Sequence, residues 1–338
     1  MVSDMKAIRF HKTGDLDVIV EDTVPVPTCG PTQVVIRTEL AGLNYIDIYY
    51  RTGLYPCELP RTVGEDLGGK IVEVGSEVHD LKVGDKVVAL STGAMAERVV
   101  VESMQVVKVP DTVDLRSATA VLLQGLTAVT LTHASYAVQP NDWVLVHAAA
   151  GGVGLLLVQV VKALGGRVIG TTSTEKKAEL VRSLGADHVL LYGEGHASAE
   201  ENAQKVLELT GGDGVQVVYD SVGQSTWDAN FTAVARLGTL VSFGQSSGLP
   251  PPLPLARLSP KNVKVLRPTL FRYLTTKEEV ARYTKVLFGL LAENKVQVNV
   301  WREYLFGAAG VQEAQRDLSS RKTSGKLLIR IPLHAERA

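Results

Sequence analysis

The chain has 338 residues, 45% hydrophobic and 21% charged, enough for two domains of ordinary size and for cores that need no disulfide or structural metal. A formal net charge of −1 argues against a dedicated nucleic-acid binder, and no apolar run is long enough to span a bilayer. Two cysteines, Cys29 and Cys57, suit a reduced, cytoplasmic protein better than a disulfide scaffold. Met1 to Phe10 lacks the apolar core of a signal peptide, and the terminal His334 to Ala338 matches no peroxisomal or retention signal.

The first third reads as short strands separated by turn residues: Met5 to Phe10, Gln33 to Thr38, Lys70 to Val74 and Val83 to Ala89. That pattern predicts a compact, barrel-like β domain. The character changes near Asp114. Apolar strands then alternate with helices: Trp143–His147, helix Val153–Leu164, Arg167–Thr171, helix Thr174–Leu184, Asp187–Tyr192, helix Glu200–Thr210, Val215–Asp220, Gly238–Phe243 and Val263–Leu266. Such alternation predicts a doubly wound parallel sheet, so the fold class is α/β with a second, β-rich domain. One long helix follows over Thr276 to Asn294. The strand Gly325 to Ile331 is expected to rejoin the first domain, giving a division into 1–124, completed by 268–338, and 125–267.

Ala148-Ala149-Ala150-Gly151-Gly152-Val153-Gly154 follows a predicted strand and opens a predicted helix. Small residues there let the backbone approach a pyrophosphate, and the helix start offers free N–H groups. Ala149 stands where the first glycine of the dinucleotide fingerprint belongs, so a plain strand–helix turn is the bland alternative. The second strand ends in Thr171-Thr172-Ser173-Thr174, with no acid to hold ribose hydroxyls, and Lys176 and Lys177 follow. Hydroxyls and a lysine suit a 2′-phosphate, which favours NADPH over NADH.

Beyond that loop the chain carries Gly42-Leu43-Asn44-Tyr45-Ile46-Asp47, Arg51-Thr52-Gly53-Leu54-Tyr55-Pro56, Val218 to Gly223, Ser242 to Gly248 and Arg267-Pro268. Taken together over nearly the whole length, these segments resemble the zinc-free NADPH:quinone oxidoreductases, the zeta-crystallin-like branch of the medium-chain dehydrogenase/reductase superfamily. The resemblance implies a GroES-like catalytic domain with a Rossmann cofactor domain. It also implies a set of cofactor contacts: Tyr45 and Ile46 toward the nicotinamide; Gly151, Gly152, Val153 and Gly154 at the pyrophosphate; Ser173 and Lys177 at the 2′-phosphate, flanked by Tyr192. Ser221, Phe243, Ser246 and Ser247 would line the rest, with a further contact from Arg321. Two departures from close relatives stand out, Thr130 for a tyrosine and Ser173 for a glycine. The family further implies a homodimer, through the edge around Val241 to Leu266 with its Pro250-Pro251-Pro252-Leu253-Pro254 run.

Zinc-dependent relatives carry Cys where this chain has Asn44, and Gly-His-Glu where it reads Gly64-Glu65-Asp66. The soft ligands of a catalytic zinc are therefore missing and no metal is expected. Without a Lewis acid, alcohols are poor substrates, and acceptors that are already electrophilic, quinones or enones, are favoured. Asn44, Asp47, Tyr49, Tyr55 and Arg267 are the candidates for the chemistry. Asn44 and Asp47 stand at helical spacing, with Asp47 read as an exposed, ionised orienting group. Tyr49 and Tyr55 either donate to an acceptor carbonyl or serve only as walls for a flat ring. His147 reads as a core residue. An enone or alkenal reductase and a non-catalytic NADPH-binding or RNA-binding protein remain as rival readings.

Overall fold

The computed structural model describes residues 4–332; the terminal segment His334 to Ala338 lies outside the described residues. The chain forms two compact units, one from residues 4–123, 276–284 and 298–332 of the described chain, the other from Gln124–Thr275 and Lys285–Gln297. In chain order the elements begin with β1 (Asp4–Phe10), β2 (Val20–Pro25), β3 (Gln33–Leu43), α1 (Tyr45–Thr52), β4 (Arg61–Thr62), β5 (Asp66–Val74), β6 (Lys86–Leu90), β7 (Arg98–Glu102), β8 (Val106–Lys108) and α2 (Leu115–Thr130). There follow β9 (Trp143–Val146), α3 (Gly152–Ala163), β10 (Arg167–Thr172), α4 (Glu175–Ser183), β11 (His188–Leu191), α5 (Ala199–Leu209), β12 (Val215–Asp220), α6 (Trp227–Ala233), β13 (Val234–Ser242) and β14 (Lys264–Leu266). The last are α7 (Lys277–Ala292), β15 (Val300–Leu305), α8 (Ala308–Ser319) and β16 (Lys326–Arg330).

In the first unit, β3 is the organising strand. Its residues 34–41 pair with β5, while Gln33 to Arg37 pair with β7 and Leu40 to Leu43 with β16. The seven-stranded sheet runs β15-β16-β3-β5-β6-β8, with β7 joined to β3. The predicted return of the last strand is thus observed: β16 lies antiparallel to β3. β15 and β16 are parallel and joined by α8, a small β-α-β unit. A three-stranded sheet, β2-β1-β4, completes the layer. Ile8, Phe10, Ile36, Leu43, Leu67, Ile71, Met95, Leu327 and Ile329 fill the core.

The second unit is built on six parallel strands in the order β11-β10-β9-β12-β13-β14, the doubly wound order that switches direction between β9 and β12. β9 is an unbroken apolar run and β12 is apolar but for Gln216 and the terminal Asp220, because helices cover both faces of such a sheet. Leu145, Ile169, Val206, Val218, Trp227 and Leu240 pack one side of it. Gly165 and Gly185, both with positive φ, stop α3 and α4 where the sequence predicts. Several elements have no counterpart in the sequence reading, among them β2, α2, α6, β15 and α8. β2 alternates half-buried and exposed residues with few apolar side chains, and α6 is only seven residues long.

Candidate functional site

In the second unit, the chain leaves β9 at Val146 and turns through Ala148, which adopts φ +48°, before Gly151 starts α3. The loop is stitched to its neighbours: Ala149 N–H donates to Thr171 O at 2.9 Å and His147 N–H to Tyr219 O at 3.0 Å. A Cβ on Gly152 would collide with the Gln124 amide, and one on Gly154 would lie 2.5 Å from Ala148 O. Gly154 is therefore required by the backbone against it, while a side chain at Gly152 would have to displace the Gln124 amide, and the first N–H groups of α3 have no partner within the helix. Ala149, the departure from the fingerprint, is fully buried.

β10 delivers Thr171 and Thr172 buried, then Ser173, half-buried, and Thr174, whose hydroxyl caps α4 by accepting from Lys177 N–H at 3.3 Å. Lys176 is exposed, whereas Lys177 is half-buried and burial lowers its pKa. Of the two lysines, Lys177 is thus the one whose charge lies partly out of water. Tyr192 N–H donates to Thr172 O, which brings that ring's residue to the same strand end.

Beyond the switch point, Asp220 ends β12 and is fully buried. Its Oδ1 accepts from Val222 and Gly223 N–H, and its Oδ2 from Thr226 Oγ1 at 2.9 Å and Asn230 Nδ2 at 2.7 Å. Since Asn230 Nδ2 donates to the carboxylate, Asn230 Oδ1 accepts from His147 Nε2 at 2.8 Å, and His147 Nδ1 pairs with Thr171 Oγ1 at 3.1 Å. His147 is the core residue expected, but it is held by hydrogen bonds, not by apolar packing alone. The loop after β13 folds back on this end: Ser246 N–H donates to Ser221 O, Ser247 N–H and Oγ to Val222 O, and Phe243 N–H to Asp220 O. Arg267 braces it, donating to Ser242 O at 2.9 Å, Gly244 O at 3.0 Å and Gln245 Oε1 at 2.9 Å. Gly151 to Gly154, Ser173, Lys177, Tyr192, Ser221, Phe243, Ser246, Ser247 and Arg267 all cluster at the carboxyl ends of the sheet's strands or in the loops that follow them.

The remaining predicted residues belong to the first unit. Arg321 is exposed, with φ +60°, just beyond α8. α1 carries Tyr45, Ile46, Asp47 and Tyr49. Tyr45 meets Tyr49 edge-on at 5.3 Å, and Tyr49 meets Tyr55 at 5.0 Å. Tyr49 is buried and Tyr45 and Tyr55 half-buried, so the three rings make one aromatic surface.

Asn44 is the N-cap of α1 and is not within the helix. The spacing of Asn44 and Asp47 is that of a cap and its third helical residue: Asp47 Oδ2 accepts from Asn44 N–H at 2.8 Å, and Oδ1 from Gly64 N–H at 3.0 Å. The expectation that Asp47 is exposed and ionised is corrected. It is 3% exposed, and burial, with nearby Glu65, raises its pKa to about 8. Glu65 is also buried, which raises its pKa; Arg61 and the Thr92 hydroxyl bond its carboxylate and oppose the rise.

The sequence reading missed Lys326. Its ammonium is buried and donates to Asn44 Oδ1 at 2.8 Å and Asp66 Oδ2 at 2.9 Å, while Asn44 Nδ2 donates to Asp66 Oδ1 at 2.6 Å. Gly42 makes room for this triad, since a Cβ there would overlap both the Asp66 carboxylate and the ammonium. The available signal was a lysine opening the apolar strand Leu327-Leu328-Ile329, whose neighbours are all buried.

Residues 30–111 match the family described as "Alcohol dehydrogenase GroES-like domain", and residues 152–286 the one described as "Zinc-binding dehydrogenase". A quinone oxidoreductase of Pseudomonas aeruginosa is 40% identical over 96% of this chain and 99% of its own length. The structure of Escherichia coli quinone oxidoreductase complexed with NADPH matches with TM-score 0.91 and 35% identity, over 96% of this chain and 99% of that one. A mycobacterial protein, also complexed with NADPH, matches with TM-score 0.92 and 41% identity, over 96% of this chain and all of that one. The fold, the strand-end cradle and these likenesses agree, and the chain belongs to the quinone oxidoreductase family of the medium-chain dehydrogenase/reductase superfamily.

Proposed function

We propose that this protein is an enzyme that reduces quinones with NADPH, without a metal. The observation that carries the reading is the pairing of a glycine cradle, in which Gly154 has no room for a side chain, with a half-buried Lys177 in the first turn of the helix that follows Ser173. These features fit a dinucleotide that ends in a 2′-phosphate. When bound, NADPH supplies a hydride from its nicotinamide C4, and the quinone takes that hydride and a proton to become a hydroquinone.

The residues divide by role. Gly151 to Gly154 hold the pyrophosphate through backbone N–H groups. Ser173 and Lys177 hold the 2′-phosphate, with Tyr192 flanking. Ser221, Phe243, Ser246 and Ser247 line the rest of the cofactor, and Arg267, which also braces their loop, remains a candidate for the chemistry. Tyr45 and Ile46 face the nicotinamide, and Arg321 adds a contact. The linked rings of Tyr49 and Tyr55 offer a flat acceptor a stacking surface, and Asn44 and Asp47 supply the polar groups beside it. In this division residues 125–267 serve the cofactor, and 1–124 with 268–338 serve the acceptor.

The donor set supports metal-free chemistry. Asn44 and Glu65 stand at the positions where zinc relatives carry Cys and His; here Asn44 is bonded to Lys326 and Asp66, and Glu65 to Arg61 and Thr92. A cation already occupies the neighbourhood in the form of the Lys326 ammonium. We further place the protein in the cytoplasm as a homodimer. The thiols of Cys29 and Cys57 are free, and no helix among the described residues is long and apolar enough to cross a membrane. β14 is an edge strand, and Leu249 and Leu255 near it are exposed.

The test is steady-state oxidation of NADPH with a panel of quinones and enones, NADH in parallel, and a chelator added. Quinone-dependent turnover that prefers NADPH and ignores the chelator is expected. Turnover of enones alone would replace the reading with the reductase of activated alkenes, and NADPH binding without turnover would replace it with a non-catalytic role.

A further inference from the structure

Lys326, Asp66 and Asn44 form a closed triangle of buried groups. Lys326 and Asp66 are 2% and 0% exposed at the side chain, and Asn44 is 3% exposed. An ion pair taken out of water is not kept for stability alone, because apolar residues of similar size usually hold a core as well. The chemistry of its members imposes one arrangement. A lysine ammonium only donates, and a carboxylate only accepts. The Asn44 carboxamide lies between them, so its oxygen must face Lys326 and its nitrogen must face Asp66. The observed contacts, at 2.8 and 2.6 Å, are the only assignment of that amide in which neither end meets a like partner.

Asn44 Nδ2 has two hydrogens, and one is bonded to Asp66. The second has no protein partner among the described residues. It is carried by the cap of α1, one residue before Tyr45 and at the head of the helix that bears Tyr49. The polarisation of the amide by a cation at its oxygen makes that N–H a stronger donor. Hydride addition to a quinone carbon places negative charge on a carbonyl oxygen, and a donor fixed in advance at that oxygen favours the charged state.

We propose that Lys326 is a positioning residue for quinone reduction, which with Asp66 locks the Asn44 carboxamide so that its second Nδ2 hydrogen donates to the acceptor oxygen that gains charge. The proposal rests on the quinone-reductase reading and adds to it a residue from the last strand of the chain. Lys326 acts through Asn44 and does not touch the acceptor. The reaction remains balanced as above: the acceptor gains two electrons and one proton with the hydride, its oxygen takes a second proton from water, and NADP+ is released.

The experiment is a mutant cycle. Lys326→Met alone leaves Asp66 a buried, unpaired carboxylate and risks failing to fold, so the working variant is Lys326→Met with Asp66→Asn, which removes both charges and leaves Asn44 free to turn over. Its NADPH affinity is expected to equal that of the wild type, its KM for quinone to change little, and its kcat to fall roughly 10- to 100-fold. Asn44→Ala in the wild-type background is expected to lose a similar factor, and Asn44→Ala added to the double variant to lose little more. Side-chain amide resonances of asparagine-labelled protein provide a readout without turnover: the Asn44 pair is expected to be shifted and sharp in the wild type and to move toward free-amide positions in the double variant. Losses that multiply, or a double variant with wild-type kcat, would overturn the role of Lys326 while leaving quinone reduction standing. A wild type that turns over no quinone would instead overturn the functional reading, and this proposal with it.

Discussion

The carboxyl group of Asp47 accepts a hydrogen bond from Gly64 N–H at 3.0 Å, so one side chain at the start of α1 fastens that helix to the turn entering β5. The same group is buried, with Glu65 and Asp66 nearby, and its pKa rises to about 8. In the unfolded chain an aspartate titrates near its ordinary value, about 3.9. Between those values the folded protein binds one proton more than the unfolded chain. Stability from this group is therefore fully present below about pH 4, falls as pH rises, and is lost above about pH 8. Asp47→Asn removes that dependence. In chemical denaturation the difference between variant and wild type is expected to shift in favour of the variant from pH 5 to pH 9, by at most about 1.4 kcal/mol per pH unit. A difference that stays constant with pH would contradict the assignment.

Lys177 is expected to set the choice of cofactor. Removing a charged hydrogen bond to a phosphate costs about 1.5–3 kcal/mol. Lys177→Ala should weaken NADPH binding roughly 10- to 100-fold and leave NADH nearly unchanged. Lys176→Ala, at the exposed neighbour, should do neither. Titration of both dinucleotides by calorimetry distinguishes the two lysines.

Gly42 tests the packing of the buried triad. Gly42→Ala places a methyl group against Asp66 and Lys326, neither of which can turn away into solvent. A loss of about 3 kcal/mol is expected from overpacking, read from the denaturant midpoint. Gly84→Ala is the control. No atom lies within reach of its Cβ, and any loss there comes from its positive φ alone.

The dimer predicts a specific sensitivity. Leu255 is 77% exposed in the isolated chain and lies shortly before the edge strand β14. If that edge is covered by a second copy, Leu255→Glu should shift the sedimentation coefficient from dimer toward monomer at micromolar concentration. A wild type that sediments only as monomer would remove the proposal.

What could be read in advance follows from the range of the forces involved. The cradle Gly151-Gly152-Val153-Gly154 was legible because backbone leaves Gly154 no room for a Cβ and the strand–helix context is local. The six parallel strands were legible because burial on both faces writes itself as apolar runs. Asp47 was misjudged because its environment is made by Gly64, Glu65 and Asp66, which reach it only through the pairing of β3 with β5. Lys326 was missed because its partners stand 260 and 282 residues away along the chain. Arg267 was read as a candidate for the chemistry, and its bonds to Ser242, Gly244 and Gln245 could not be foreseen because they join segments more than twenty residues apart. α8 escaped because an amphipathic helix with few apolar residues resembles a surface segment until β15 and β16 are seen to flank it.

The return of β16 to β3 also has a consequence for biosynthesis. A ribosome releases the first unit's strands long before it releases the strand that neutralises Asp66, and the intervening chain contains a complete parallel sheet. A product stalled before residue 326 would display an unpaired carboxylate and an uncovered length of β3. The sheet of the first unit and its buried charge pair are thus completed by a segment that follows the whole parallel sheet in sequence.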